Sequence, residues 1–153
     1  TEKTHTVTTY YVPARTDGLA EDWLARYPSI QMVLDVHRDS LETDDGAQLA
    51  LRADVGGEAC AKLLLVMGSN GSGLEHPGWR QNLANAARLQ ALCEQRAPGL
   101  MRDLLLRASR YNQHLTPRSM LLEVGTAGNS LEEALRSADI FSQVLADCLL
   151  GKA

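Results

Sequence analysis

Residues 30–40, read I-Q-M-V-L-D-V-H-R-D-S, decide how the rest of the chain is read. The apolar half is too short for a membrane span and rich in branched residues, the pattern of a buried strand. Four ionisable side chains, Asp35, His37, Arg38 and Asp39, crowd its C-terminal end. Ligands of open α/β sheets bind beyond the carboxyl ends of the strands, so a site is expected there. His37 is the leading candidate. Neutral imidazole is the commonest metal ligand, and a flanking Asp35 or Asp39 would hold its second nitrogen and fix the tautomer. The plainer reading, a hydrogen-bonded polar residue at a strand end, is the more frequent one for a solitary histidine.

Upstream, residues 1–13 are rich in Thr and Tyr and read as a strand or a tail ending at Pro13. Thr16 or Asp17 would cap a short helix marked by Leu19, Trp23 and Leu24 and stopped by Pro28. Downstream, E-T-D-D-G (42–46) is turn-rich. Residues 47–55 then alternate in part, Gly56-Gly57 breaks the pattern, and 61–67 run apolar, which predicts a hairpin beside the central strand. The glycine-dense loop 68–77 is no phosphate loop, because no Gly-Lys-Ser/Thr ends it. Pro77-Gly78 opens a long helix with Trp79, Leu83, Ala86 or Ala87, and Cys93 on its core face, ending near Pro98-Gly99. A short strand at 104–106, a polar loop R-Y-N-Q-H (110–114) and a buried strand at 119–124 follow. The last helix starts at Ser130, where S-x-x-E with Glu133 matches a capping box, and Leu131, Leu135, Ala138, Val144, Leu145 and Leu149 are expected to line its apolar face. Helices and strands alternate after residue 60, so the class is α/β, with a central, mostly parallel sheet flanked by helices.

The 153 residues fit one domain, and 44% hydrophobic with 22% charged content is ordinary for a folded globular chain. A net charge of -4, with fifteen basic residues scattered among nineteen acids, gives no footprint for nucleic acid. No segment approaches twenty unbroken apolar residues, and the start T-E-K-T-H-T has no signal-peptide pattern. The absence of an initiator Met is what an excised or processed domain would show, its leader or anchor removed. Cys60, Cys93 and Cys148 lack metal-type spacing and read as small core hydrophobes.

Glu123 sits inside M-L-L-E-V-G, where a carboxylate is costly unless paired, hydrogen-bonded or near a metal. His37 and Glu123 at the ends of adjacent strands outline a metal hydrolase, one ligand and one general base. A catalytic zinc takes three protein ligands, and no H-E-x-x-H completes the set. His76 and His114 are read as surface or capping residues and Trp79 as core. No G-x-S-x-G supports a serine mechanism, and no cysteine lies in a polar loop.

Taken together, residues 27–40 (Y-P-S-I-Q-M-V-L-D-V-H-R-D-S), 76–83 (H-P-G-W-R-Q-N-L), 98–102 (P-G-L-M-R), 110–113 (R-Y-N-Q) and 121–134 (L-L-E-V-G-T-A-G-N-S-L-E-E-A) resemble the stage II sporulation protein P family of cell-wall hydrolases. A strand Glu followed by G-x-x-x-N also looks like the signature of the broader zinc N-acetylmuramoyl-L-alanine amidase fold. The resemblance implies a zinc enzyme that cuts the amide between muramic acid and the first L-alanine of the peptidoglycan stem, with peptide cross-links as a further substrate. Carried over by position, His37 would be a zinc ligand and Glu123 the catalytic carboxylate. Arg38, Arg110, Asn112 and Gln113 would hold substrate carboxylates and amides. The family's earlier strand, with a His-Thr-His type motif and a Glu shortly after, is represented only by T-H-T-V-T-T-Y-Y (4–11). His5 would be the remnant of the first ligand, and no Glu follows it before Glu21. The expectation is an N-terminal part outside these residues, or a degenerate homologue that binds wall or serves as a scaffold without catalysis. A peptidase acting on another substrate is a further rival. The resemblance further implies action outside the cytoplasmic membrane at the sporulation septum during engulfment, a membrane anchor outside this chain, and a lytic transglycosylase partner, stage II sporulation protein D.

Overall fold

A computed structural model describes residues 18–151, and the chain divides into two compact units after Ile30. The expected tail or strand at 1–13, the caps Thr16 and Asp17, and His5 lie outside the described residues. In the first unit, α1 (Leu19–Arg26) begins after Gly18 at φ 84°. It ends at Tyr27, which leaves the helical region at φ -127° and ψ 78°, as a residue before proline is disposed to do. The Trp23 and Tyr27 rings stack with centroids 4.9 Å apart.

The second unit holds β1 (Val33–Asp39), β2 (Arg52–Val55), β3 (Glu58–Ala61), β4 (Leu63–Gly68), α2 (Trp79–Arg96), β5 (Leu105–Arg107), β6 (Ser119–Thr126) and α3 (Leu131–Leu149). Four strands form one sheet in the order β1-β6-β4-β5. β1 runs parallel to β6 and β4 parallel to β5, while β4 and β6 are antiparallel, so the sheet is mixed. The expected central strand is therefore at an edge of the described sheet, and β6 and β4 take the interior. The chemistry of the strands explains this. β4 reads L-L-L-V-M-G and is buried throughout, whereas β1 carries Asp35, His37 and Arg38, which stay exposed and whose charge would be costly between two strands.

α2 and α3 pack side by side on one face of the sheet. Leu63, Leu65, Met67, Met120 and Leu122 meet Ala86, Leu89, Cys93, Phe141 and Val144 there in one core. Alternation sends Leu64, Val66 and Leu121 to the other face, where they form a second small cluster with Leu105. All three cysteines are free thiols, and burial pushes that of Cys93 up to about 12.

The hairpin differs from expectation. It is β2 with β3, a separate two-stranded sheet, turned through Gly56 and Gly57 at φ 65° and 86°. Two successive positive φ values make the tight turn whose twist suits a hairpin. β4 leaves it to join the main sheet. The face of α3 differs too: Leu131 and Leu135 are 68% and 58% exposed, and Glu133, Ser137, Phe141 and Val144 point inward. Hydrogen bonds set this rotation. The capping box of Ser130 and Glu133 forms, Arg52 and Asn129 bind the Glu133 carboxylate, and the Ser137 hydroxyl donates to the Ala61 carbonyl at 2.7 Å.

Asn129 ties these pieces together. Its Oδ1 accepts from the Thr126 N–H and hydroxyl at 2.9 Å each. Its Nδ2 donates to the Leu51 carbonyl at 3.1 Å and to Glu133 at 2.8 Å. Gly125 is at φ 73°, and a Cβ there would lie 2.8 Å from Ala61 Cβ and 3.0 Å from Asn129 Oδ1. The G-x-x-x-N signature is thus a clamp that ends β6 and starts α3.

Asn129→Ala leaves several of these groups unpaired and is expected to lower stability by roughly 1–3 kcal/mol in urea denaturation. The Arg52 and Asn129 hydrogen bonds hold the Glu133 carboxyl down at about 2. A folded-state value below the unfolded one means stability present above the ordinary value of 4.5 and lost as pH falls toward 2. Glu133→Gln should therefore melt lower than the parent at pH 7, and the difference should close on acidification through that window.

Candidate functional site

Parallel pairing of β1 on β6 sets His37 opposite Glu123. In a parallel pair, residues in register share a face, so both stand on the side of the sheet away from α2 and α3. The register then shifts, with Asp39 opposite Thr126. The left-handed Gly125 takes up the extra residue of β6. The expectation of a His and a Glu at the ends of neighbouring strands is met geometrically.

His37 is exposed, and its Nε2 lies 2.8 Å from Asp35 Oδ1. Asp35 therefore occupies the place beside the imidazole that was left open between it and Asp39. Asp39 turns instead to Arg102, with Oδ2 and Nη1 2.6 Å apart and both side chains about three-quarters buried. Glu123 is half-buried, and its Oε2 has no hydrogen-bond partner among the described residues. Burial pushes its carboxyl above the usual range and Asp39 adds to this. His37 and Arg102 pull the other way, and Asp35 pushes up again. A carboxyl so placed is suited to exchange protons nearer neutrality.

Glu123 lines a cavity of about 220 Å³. Leu64, Val66, Leu105 and Leu121 make its apolar wall, and Asp39, Arg102, Arg107 and Tyr111 supply polar groups. Arg102 and Tyr111 stand in the motifs P-G-L-M-R and R-Y-N-Q, which gave neither of them a role, and Arg107 lies outside every motif. Only the crossing of β5 beside β4 brings these residues near Glu123. Tyr111 and Asn112 are both left-handed, at φ 51° and 59°. For Tyr this is uncommon and carries strain of order 1–3 kcal/mol.

The four residues expected to bind substrate fare differently. Arg38 is exposed on β1 and Asn112 is exposed in its loop. Arg110 Nη1 donates to the Glu75 carbonyl at 3.2 Å. Gln113 is buried and both ends of its amide are used: Oε1 accepts from Gly68 N–H and Nε2 donates to the Val66 carbonyl, each at 2.9 Å. Its contacts are with the β4 backbone, so it braces the loop and has no free amide group for a substrate. Asn82 of the H-P-G-W-R-Q-N motif completes the brace, with Nδ2 2.7 Å from the Gln113 carbonyl and 3.1 Å from those of Thr116 and Ser119. Gly68 must stay bare, because a Cβ there would meet the Ser109 carbonyl oxygen at 2.5 Å.

His76, expected as a surface or capping residue, is 2% exposed, with the His114 ring edge-on at 6.5 Å. Burial, then His114 and Arg110, hold its basicity down. Trp79, expected in the core, is half-buried and covered by the Arg80 guanidinium at 4.4 Å.

A zinc ion would find half of a site here. His37, with its Nε2 held by Asp35, would serve as one oriented ligand, and Glu123 offers an unbonded buried oxygen. No group of three or more His, Cys, Asp or Glu able to hold a metal occurs among the described residues. No helix of the described residues is long and apolar enough to cross a membrane.

The family model described as Stage II sporulation protein P matches residues 4–146. Stage II sporulation protein P of Bacillus subtilis (strain 168) is 33% identical over 138 residues, covering 84% of this chain and 32% of that protein. The chain therefore spans about a third of that relative's length. No solved structure matches it. Matched along most of its length by the family model and by this relative, the chain belongs to the stage II sporulation protein P family.

Proposed function

We propose that this chain is the amide-cleaving part of a peptidoglycan hydrolase, acting on the N-acetylmuramoyl-L-alanine bond and also on peptide cross-links. The observation that carries the reading is Glu123: a carboxyl with raised basicity and an unbonded oxygen, in register with His37 and lining a cavity. Membership of the sporulation family supports the wall as the substrate.

In this reading zinc, held by His37 together with ligands from outside residues 18–151, would polarise the amide carbonyl and acidify water. Asp35 keeps the His37 ring oriented. Glu123 takes the proton of the attacking water and returns it to the departing amine. The Asp39–Arg102 pair fixes one wall of the cavity and leaves little net charge beside Glu123. Arg38, Arg110 and Asn112 lie outside that wall, and a part for them in holding the substrate would require a peptide that runs past the cavity mouth. The proposal extends to action outside the cytoplasmic membrane at the sporulation septum, to an anchor carried elsewhere in the protein, and to a transglycosylase of the stage II sporulation protein D type as partner.

Zinc content by elemental analysis, paired with mass spectrometry of fragments released from purified wall, tests this. The parent chain should hold near-stoichiometric zinc and release peptides with a free L-alanine amine. His37→Ala should lose both. Glu123→Gln should keep zinc and lose hydrolysis by about 10²-fold or more. Zinc-free parent protein that still binds wall would favour the non-catalytic scaffold, and fragments cut elsewhere would favour a peptidase of another specificity.

A further inference from the structure

We propose that Arg107 is the specificity determinant of this site, a guanidinium fork for a free carboxylate on an acidic residue of the peptide substrate. The inference rests on the hydrolase reading above and names the substrate feature which that reading leaves open.

Two guanidinium groups reach the cavity, and their situations differ. Arg102 is held by Asp39 at 2.6 Å, so its charge is already matched. The Arg107 side chain is exposed and has no hydrogen-bond or ion-pair partner among the described residues, although its carbonyl accepts from Ser69. An unpaired arginine lining a concavity presents two parallel N–H groups, the geometry that suits a carboxylate. Its backbone is well fixed, since β5 pairs with β4 with Arg107 opposite Gly68. Gly68 in turn is braced by Gln113.

Register gives the spacing. Glu123 lies opposite Leu64 and Arg107 opposite Gly68, so the two are separated by four residues along β4 and two strand spacings across it. At about 3.3 Å per residue and about 4.8 Å per strand, their Cα atoms are about 16 Å apart. The side chains close part of that gap, leaving the length of one to three residues of extended peptide. Between them lies the apolar floor of Val66, Leu105 and Leu121, fitted to the methylenes of a short aliphatic arm. A cavity of about 220 Å³ is below the roughly 300–1,000 Å³ of pockets that enclose whole small molecules. It takes a side chain of the peptide, with the rest of the substrate extending beyond its mouth. A residue with a short aliphatic arm and a free carboxylate satisfies floor and fork together.

The test uses the 153-residue chain and two muramoyl tripeptides, alike except that the carboxylates of the acidic residues are all free in one and all amidated in the other. The parent should cleave the free-acid peptide with a kcat/KM about tenfold or more above that for the amidated one, as a charge-assisted fork implies. Arg107→Gln should bring the ratio to about one, and Arg107→Lys should keep part of it, a point charge without the fork. A parent without preference, or a preference unchanged in Arg107→Gln, overturns the inference. Calorimetric binding of both peptides to parent and Arg107→Gln separates the two levels. An Arg107-dependent preference in binding without cleavage sinks the hydrolase reading alone. Cleavage with no Arg107-dependent preference in either assay sinks only the role of Arg107.

Discussion

The register of β1 on β6 is the constraint on which the site depends. With Leu34 opposite Met120 and Asp35 opposite Leu121, Leu34 and Met120 face the helices, and Asp35, Leu121, His37 and Glu123 face away. A slip by one residue would leave His37 and Glu123 on opposite faces of the sheet. Two features of β6 protect the register. Its neighbour β4 is buried along its whole length and fixes it from the other side. Thr126 and Asn129 stop it at one place by clamping its end to the Leu49 and Leu51 carbonyls.

That clamp links stability to the candidate site through short chemical steps. Asn129 holds Thr126 and the Glu133 carboxylate, Glu133 holds Arg52 of the hairpin, and Ser137 holds the hairpin's last carbonyl. None of these groups reaches the cavity. They set where β6 ends, and hence where Glu123 stands relative to His37. On the opposite flank, Asn82 and Gln113 bind loop and strand backbone and so fix the segment that carries Tyr111. The motif residues of this family thus divide into a few that face the cavity and more that position those few.

The electrostatics of the open face follow from the same layout. Asp35, Asp39 and Glu123 would repel one another on a bare edge, but Asp35 turns to His37 and Asp39 to Arg102. Glu123 is left with its charge least compensated and partly desolvated, and its carboxyl accordingly sits above the usual range. Packing alone thus leaves one carboxyl with raised basicity beside two satisfied pairs.

Local pattern in the sequence was enough to find a strand within 30–40, a strand at 119–124, the long helices and the Ser130 capping box, because branched runs, proline and glycine breaks and cap spacing act within a few residues. It also found His37 and Glu123, since charged groups inside apolar runs stand out without any partner in view. What it missed depends on residues distant in the chain. β1 is at an edge because β4 and β6 are the more apolar strands and compete for the interior. α3 turns Leu131 and Leu135 outward because Arg52, Asn129 and Ala61 supply hydrogen bonds that hydrophobic periodicity does not encode. Gln113 faces β4 rather than a substrate, and His76 is interior, for the same kind of reason. The cavity, with Arg102, Arg107 and Tyr111 brought to Glu123, exists only once β5 lies beside β4. The sequence by itself determined most of the segments that become strands and helices and singled out His37 and Glu123 as ionisable groups set in apolar runs; tertiary pairing decided their neighbours, because hydrogen bonds and charge pairs between distant segments leave no period in the chain.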